Sequence, residues 1–210
     1  MSDISIPSDN AKSSNNSAKI ENICVYCGSS SKSRPAFQES AVRTGEIIAE
    51  NNWTLVYGGA NVGLMGMAAN AALKGGAKVT GIIPHDLIKW EIAHQDLTSL
   101  IEVNSMHERK MEMVRQSDAF VILPGGLGTL DETFEILTWK QIGLHDKPVV
   151  LANIDGYWDK FLDLVTHLVE EKFALDNTFD MIQVVESIDD IPHALKTAPK
   201  SKSSPITKWM

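Results

Sequence analysis

The segment PGGLGTLDE at 124–132 has the residue types of a loop that binds an anion. Glycines let a ligand approach the backbone, and the first N–H groups of a following helix have no partners inside that helix. Those N–H groups and the helix dipole both attract negative charge. An alternative needs no ligand, because Thr129 and Glu132 have the spacing of a helix capping box. A phosphate site is favoured, since a cap leaves three glycines unexplained: Gly125, Gly126 and Gly128.

A second segment, SMHERK at 105–110, places two cations near the start of another helix. Ser105 and Glu108 have the spacing of a capping box, which puts Arg109 and Lys110 in the early turns. A cation there opposes the helix dipole, as expected if the two side chains face a bound anion. The alternative is a solvated basic face balanced by nearby acids, and the spacing does not decide between the two.

Two more loops are rich in small residues. CGSSS at 27–31 offers Gly28 and the Ser29 hydroxyl to a phosphate or ribose, although it lacks the glycine spacing of dinucleotide-binding loops and P-loops. An ordinary tight turn explains it equally well. YGGANVGLMG at 57–66 has four glycines, which indicate either positive φ angles or close packing. Whether these glycines serve a ligand or only the packing stays open.

These segments belong to a repeating pattern of short apolar runs, turns and amphipathic stretches. Runs such as FVIL and VVLA are continuously apolar, as expected for strands buried on both faces. Strands that alternate with helices are typical of a parallel sheet. We therefore predict an α/β fold: a single Rossmann-like domain, with a mostly parallel sheet of about seven strands and helices on both faces. In such sheets the ligand lies beyond the carboxyl ends of the strands, where the strand order reverses.

The predicted domain spans residues 20–196. Its strands are predicted at 23–26, 54–57, 78–83, 101–103, 119–123, 149–153 and 181–185. Its helices are predicted near 35–51, 64–75, 106–117, 130–142, 157–172 and 188–196. The flanking segments are polar and poor in apolar residues, so we predict a disordered N-terminal tail at 1–19 and a basic C-terminal tail at 197–210.

The charge balance limits the partners. Nineteen basic against 27 acidic residues give the 210-residue chain a formal net charge of -8, which excludes a general attraction for nucleic acid or anionic lipid. We expect no secretory leader, since no cationic start followed by an apolar core appears in the first residues, and no apolar run approaches the ~20 residues that span a bilayer. Cys24 and Cys27 lie three apart on one predicted strand and face opposite sides, which favours buried structural thiols. We expect a cytoplasmic protein without nucleic-acid or membrane partners.

Together these motifs resemble the LONELY GUY family of cytokinin riboside 5′-monophosphate phosphoribohydrolases. The family pattern P-G-G-x-G-T-x-x-E matches 124–132, and M-H-x-R-K matches 106–110. CVYCGSS, VYGG with GLMG, TWKQIGLHDKPV and NIDGYW are also similar to the family, so the likeness covers roughly residues 20–195. Leu127, where plant members often have Tyr, and Asp131, where Glu is frequent, depart from the pattern without removing a motif residue.

The resemblance implies hydrolysis of the N-glycosidic bond of adenine-type nucleoside 5′-monophosphates, cytokinin riboside monophosphate or AMP, to free base and ribose 5-phosphate. Glu132 would stabilise the oxocarbenium-like transition state or activate water, and Arg109 would orient Glu132 or assist the departing base. A homodimer is also implied. Substrate contacts are expected from Gly28, Ser29, Glu91, Lys110, Gly125, Gly126, Gly128, Thr129 and Asp131.

Two other functions are compatible with parts of the sequence. Bacterial family members were long labelled lysine decarboxylases, but that reaction needs pyridoxal phosphate on a Schiff-base lysine, and no lysine stands in a convincing site. We therefore expect no cofactor. We also expect no metal, since the six histidines form no cluster with ligand spacing. A non-catalytic nucleotide or cofactor carrier would use the same phosphate loop, although it does not require both Arg109 and Glu132.

Overall fold

The computed structural model describes residues 19–88 and 93–199, which fold around one seven-stranded sheet. The strands are β1 (Asn22–Tyr26), β2 (Thr54–Tyr57), β3 (Val79–Pro84), β4 (Ser99–Val103), β5 (Ala119–Ile122), β6 (Val149–Ala152) and β7 (Gln183–Val185). The helices are α1 (Pro35–Glu50), α2 (Gly63–Lys74), α3 (His85–Ile88), α4 (Met106–Arg115), α5 (Leu127–Gln141), α6 (Asp159–Glu170) and α7 (Ile191–Thr197). Short 3₁₀ turns lie at Ile154–Gly156, Asp176–Met181 and Ile188–Asp190.

All strand pairs in the sheet are parallel, and the strand order is β4-β3-β2-β1-β5-β6-β7. The chain adds strands outward from β1 to β4 and then returns to the other side of β1. The order therefore reverses between β1 and β5, whose register pairs Cys24 with Phe120 and Tyr26 with Ile122. The loops that leave these two strands meet at the position where such sheets bind ligands.

Strand side chains alternate between two apolar layers. Ile23 and Val25 of β1 pack with α1, α2 and α7, whereas Cys24 and Tyr26 pack with α4, α5 and α6. Cys24 and Cys27 are free, buried and in different layers, and burial raises the pKa of both thiols. The predicted α/β fold with helices on both faces and the predicted buried cysteines are confirmed.

Several predicted boundaries differ from the structure. The helix predicted at 157–172 begins at Asp159, because the chain first makes a 3₁₀ turn after β6. The strand predicted at 181–185 begins two residues later, since Met181 ends another 3₁₀ turn. The sequence pattern does not predict α3, which spans only four residues and is too short to show a helical period.

The two predicted tails lie almost wholly outside the described residues, which begin at Lys19 and end at Pro199. Glu91, a predicted substrate contact, also lies outside them. α7 ends at Thr197, one residue beyond the predicted domain boundary. Within the described ranges, every helix is too short or too polar to cross a bilayer.

Candidate functional site

The loops after β1 and β5 lie side by side where the strand order reverses. The N–H of Gly28 donates to the carbonyl of Pro124 at 3.0 Å, and a Cβ on Gly28 would lie 3.3 Å from the Cα of Gly125. Ser29, the next residue, is exposed. The structure thus brings two of the predicted segments together, and the small size of Gly28 and Gly125 allows the close approach.

The start of α5 is open to an anion. Gly126 is the N-cap residue, its carbonyl accepts the N–H of Leu130 at 3.0 Å, and no side chain of the described residues caps the helix. The alternative of a capping box at Thr129 and Glu132 is therefore wrong, because Thr129 lies inside the first turn and is 3% exposed. The first N–H groups have no acceptor inside the helix, and its first turn contains no acid to balance the dipole.

The protein's own packing does not require Gly126 and Gly128. A Cβ built at either position meets no atom of the described chain within 4 Å beyond its immediate neighbours. The φ of Gly126 is -103°, which any residue can adopt. Both positions are exposed, so a ligand can approach the backbone there. Gly125 differs, since a Cβ there would overlap the side chain of Thr129.

The capping box predicted for α4 is present. The Oγ of Ser105 accepts the N–H of Glu108 at 3.1 Å. The Glu108 carboxylate reaches back to the N–H of Asn104 at 2.8 Å, one residue before the N-cap. These bonds fix the first turn of α4, and the next two residues, Arg109 and Lys110, are buried.

Arg109 reaches the carboxyl edge of the sheet from α4. Its Nε donates to the carbonyl of Ile82 and its Nη2 to the carbonyl of Gly58, both at 3.2 Å, and Nη1 lies 3.8 Å from the sulfur of Met106. Arg109 is 6% exposed, so the alternative of a solvated basic face is wrong. Gly58 makes room for this side chain, because a Cβ there would overlap the guanidinium.

Lys110 joins α4 to α5. Its Nζ lies 3.1 Å from carboxylate oxygens of both Asp131 and Glu135. Burial alone lowers the pKa of Lys110, but the hydrogen bonds and charges of the two acids outweigh it and raise that pKa above its ordinary value. Two predicted substrate contacts, Lys110 and Asp131, are thus paired with each other, and their contact with a substrate stays a prediction.

Glu132 lies on the second turn of α5, near the end of β1. Burial raises the pKa of Cys24, Tyr26 and Cys27, and the negative charge of Glu132 raises each further. The guanidinium of Arg109 opposes this at Cys24. Charges of opposite sign therefore act on the pKa of one buried thiol, that of Glu132 from α5 and that of Arg109 from α4.

The glycines after β2 are needed for packing. Gly63 has a φ of 52°, and a Cβ there would overlap the backbone of Ser29. Gly58 is covered by the guanidinium of Arg109. The sequence leaves open whether these glycines serve a ligand or the packing. The structure shows that Gly58 and Gly63 allow close packing against Arg109 and Ser29.

His94 ties the chain before β4 to the loop after β2. Its Nε2 lies 2.9 Å from the Oδ1 of Asn70, and its Nδ1 accepts the N–H of Asp96 at 3.2 Å, so the neutral ring carries its proton on Nε2. Its backbone N–H donates to the carbonyl of Gly59 at 3.0 Å. Burial lowers the pKa of His94, which keeps the ring neutral.

The sequence does not predict one residue that contacts the glycine loop. The hydroxyl of Tyr157 donates to the carbonyl of Gly125 at 2.5 Å. Tyr157 directly follows the 3₁₀ turn Ile154–Gly156, so it also comes from the carboxyl edge of the sheet. Its signal is the motif NIDGYW, an Asp-Gly turn just after a strand that ends at this edge.

Buried lysines are tied to partners within the protein. Besides Lys110, the buried Lys140 donates to the carbonyl of Lys147 at 2.8 Å and so holds the turn between α5 and β6. Among the described residues, His, Cys, Asp and Glu form no group of three that could hold a metal ion.

The sequence is similar to known phosphoribohydrolases. Residues 65–195 match the family model described as "Possible lysine decarboxylase". A probable cytokinin riboside 5′-monophosphate phosphoribohydrolase of Oryza sativa subsp. japonica is 46% identical over 194 residues, which cover 91% of this chain and 78% of the relative. A cytokinin riboside 5′-monophosphate phosphoribohydrolase of Arabidopsis thaliana is 40% identical over 191 residues, which cover 91% of this chain and 89% of the relative.

Solved structures share the fold. The molybdenum cofactor binding protein from the phototrophic bacterium Rippkaea orientalis has a TM-score of 0.64 and 25% identity, covering 86% of this chain and 98% of that one. The molybdenum cofactor carrier protein from Chlamydomonas reinhardtii has a TM-score of 0.66 with the same coverage. At 20% identity the second similarity shows the fold alone.

Proposed function

This chain belongs to the LONELY GUY family, and on that premise we propose that it hydrolyses the N-glycosidic bond of adenine-type nucleoside 5′-monophosphates. The products are the free base and ribose 5-phosphate. The observation that carries the proposal is the uncapped, glycine-lined start of α5, which follows β5 at the strand switch point and precedes Glu132 on the same helix. Relatives that are 46% and 40% identical carry this activity in their names.

The start of α5 binds the 5′-phosphate in this proposal. The N–H groups of residues 125–129 and the Thr129 hydroxyl surround the anion, and the helix dipole adds to their attraction. The open space over Gly126 and Gly128 supports this placement. A local site of this kind explains how a chain with a net charge of -8 holds a phosphate.

Glu132 and Arg109 perform the chemistry. Cleavage of the glycosidic bond builds positive charge on the ribose, which a carboxylate at the anomeric carbon stabilises, either directly or by activating the attacking water. Glu132 lies within one helical pitch of about 5.4 Å from the phosphate loop, a distance that suits a ribose. Arg109, held by two backbone carbonyls, orients Glu132 or assists the departing base.

The remaining predicted contacts have structural support of different kinds. Gly28 and Ser29 belong to the loop that adjoins Pro124, which places them beside the phosphate loop. Lys110 and Asp131 form an ion pair between α4 and α5. The two side chains either contact the nucleotide or hold the two helices together. Glu91 completes the proposed set and lies outside the described residues.

Hydrolysis is favoured over a carrier function. The carrier from Chlamydomonas reinhardtii shares 20% identity with this chain, whereas the phosphoribohydrolase from Oryza sativa shares 46%. A carrier needs the phosphate loop alone, whereas this chain also has the buried Arg109 bonded to the loop after β2 and Glu132 on the helix that follows the phosphate loop.

Replacing the two proposed catalytic residues tests the function. Glu132→Gln removes the carboxylate charge and lowers kcat/KM for AMP by about 1,000-fold, since acid–base groups contribute on this scale. Arg109→Ala lowers it by about 100-fold. Release of adenine is followed by chromatography, and circular dichroism confirms that the variants are folded.

A matched control is Glu170→Gln, which removes an exposed carboxylate at the end of α6 and keeps the parent rate. Folded Glu132→Gln and Arg109→Ala variants with parent-like rates contradict the assignment. A parent protein that binds AMP tightly without releasing adenine is a carrier. Rates on AMP and isopentenyladenosine monophosphate, measured side by side, identify the preferred base.

The proposed active form is a homodimer in the cytoplasm. On α4, Met106 and Met111 are 42% and 51% exposed, and Leu127 at the start of α5 is 86% exposed, an apolar surface that a second copy can cover. Light scattering during size-exclusion chromatography tests this state, and Met111→Glu shifts it toward the monomer. The free, buried cysteines support a reducing compartment.

A further inference from the structure

We propose that Tyr157 is a positioning residue that sets the direction of the Gly126 N–H in the phosphate site. The inference rests on the proposed function, since it assigns a role in binding the same 5′-phosphate. Tyr157 touches the glycine loop from outside, through the carbonyl of Gly125.

The geometry of the peptide unit links this contact to the ligand. The carbonyl of Gly125 and the N–H of Gly126 belong to one planar, trans peptide, so they point in opposite directions. When the Tyr157 hydroxyl holds the carbonyl at 2.5 Å, the N–H of Gly126 is turned away from Tyr157. Because glycines restrict the backbone least, a peptide between two glycines rotates easily unless another group holds it.

The preceding peptide is held in the same way. The carbonyl of Pro124 accepts the N–H of Gly28 at 3.0 Å, which fixes the direction of the Gly125 N–H. Two successive peptides of the loop are therefore set by donors from other loops, one after β1 and one after β6. Among the described residues, neither the Gly125 nor the Gly126 N–H donates to a backbone carbonyl, so both remain available to a phosphate.

Tyr157 is itself held firmly although it is 38% exposed. Its ring packs edge-on against Phe37 and Trp158, with centroid distances of 5.1 and 4.9 Å. The N–H of Trp158 donates to the Oδ1 of Asn153 at 2.7 Å, which closes the turn after β6. The hydroxyl therefore has a fixed position, as a group that orients a peptide must have.

Tyr157→Phe is the direct test, because it keeps the ring packing and removes only the hydroxyl. Losing one hydrogen bond that orders the loop weakens ribose 5-phosphate binding by about 5–10-fold and raises the KM for AMP by a similar factor, with kcat changed less than about 2-fold. Isothermal titration calorimetry measures ribose 5-phosphate and adenine separately. Adenine has no phosphate, so its affinity stays at the parent value.

The matched control is Tyr57→Phe, since the buried Tyr57 hydroxyl has no hydrogen-bond partner among the described residues. This variant binds ribose 5-phosphate like the parent. Tyr157→Leu, which also removes the ring, loses at least as much affinity as Tyr157→Phe.

Three results overturn the inference: parent-like ribose 5-phosphate binding by Tyr157→Phe, an equal loss for adenine, or no ribose 5-phosphate binding by the parent. The titrations need no turnover, so they are independent of the test for hydrolysis. A parent that binds ribose 5-phosphate through Tyr157 but releases no adenine from AMP contradicts the proposed reaction and leaves the role of Tyr157 intact.

Discussion

The glycine-rich loops after β2 and after β5 are alike in composition and differ in what surrounds their glycines. After β2, Gly58 and Gly63 lie against other parts of the protein, so protein atoms occupy the space that a Cβ would need. After β5, Gly126 and Gly128 meet no such atoms among the described residues. Glycine content alone therefore does not identify a ligand loop. Unfilled space beside an uncapped helix start is the feature that supports the proposed phosphate site after β5.

The largest expected effect is a loss of stability in the packed loop after β2. Gly63→Ala lowers the free energy of unfolding by about 3 kcal/mol, because alanine disfavours a φ of 52° and its Cβ overlaps the backbone of Ser29. Urea denaturation measures the loss. Gly76→Ala is the control, since Gly76 has a φ of 85° and free space around it, and it loses about 1–2 kcal/mol. Equal losses in the two variants argue against the overlap.

Gly58→Ala links the packed loop to activity. The new Cβ displaces the guanidinium of Arg109, and a misplacement of about 1 Å in a catalytic group lowers rates by about 100-fold. Adenine release from AMP gives kcat/KM. A folded variant with the parent rate shows that the observed position of Arg109 is not required.

Gly128→Ala tests whether the loop after β5 differs from the packed loop after β2. Alanine fits the free space and favours the helix, so the free energy of unfolding stays the same or rises by up to about 1 kcal/mol. Because the methyl group enters the space of the phosphate, AMP binding weakens by about 10-fold. Lower stability places Gly128 among the packed glycines, and unchanged AMP binding shows that Gly128 does not face the phosphate.

The smallest expected effect is a pH dependence of the free energy of unfolding, which arises at His94 beside the packed loop after β2. Burial lowers the pKa of His94 in the folded state, so the unfolded chain binds the proton more readily and the free energy of unfolding falls as the pH drops below about 6.5. His145, whose pKa burial also lowers, contributes in the same direction. Urea denaturation between pH 8 and 5 shows a shallower slope for His94→Gln than for the parent. Identical slopes exclude His94 as a source.

The sequence predicts the sheet well because its signals are local. Continuous apolar runs mark the buried strands, and all seven predicted strands are present. Boundaries are missed where a short 3₁₀ turn or a glycine N-cap replaces the expected start. α5 begins at Leu127, for example, because the capping box at Thr129 and Glu132, correct in spacing, does not form.

The candidate site is predicted in part. The adjacency of Gly28 and Gly125 follows from the strand switch point, which topology rules supply. The burial of Arg109 by Ile82 and Gly58 depends on contacts across β2, β3 and α4, which no local pattern encodes. Tyr157 is missed for the same reason, since its contact with Gly125 spans 32 residues.

The anchoring of Arg109 has a consequence for how this protein tolerates mutation. Both of its oxygen acceptors are backbone carbonyls, those of Ile82 and Gly58, which every amino acid possesses. Substitutions at residue 82 that preserve the strand leave the acceptor in place, whereas residue 58 must stay without a side chain. Residue 82 can therefore change without loss of its hydrogen bond to Arg109, whereas residue 58 must remain glycine, although both positions supply the same kind of bond.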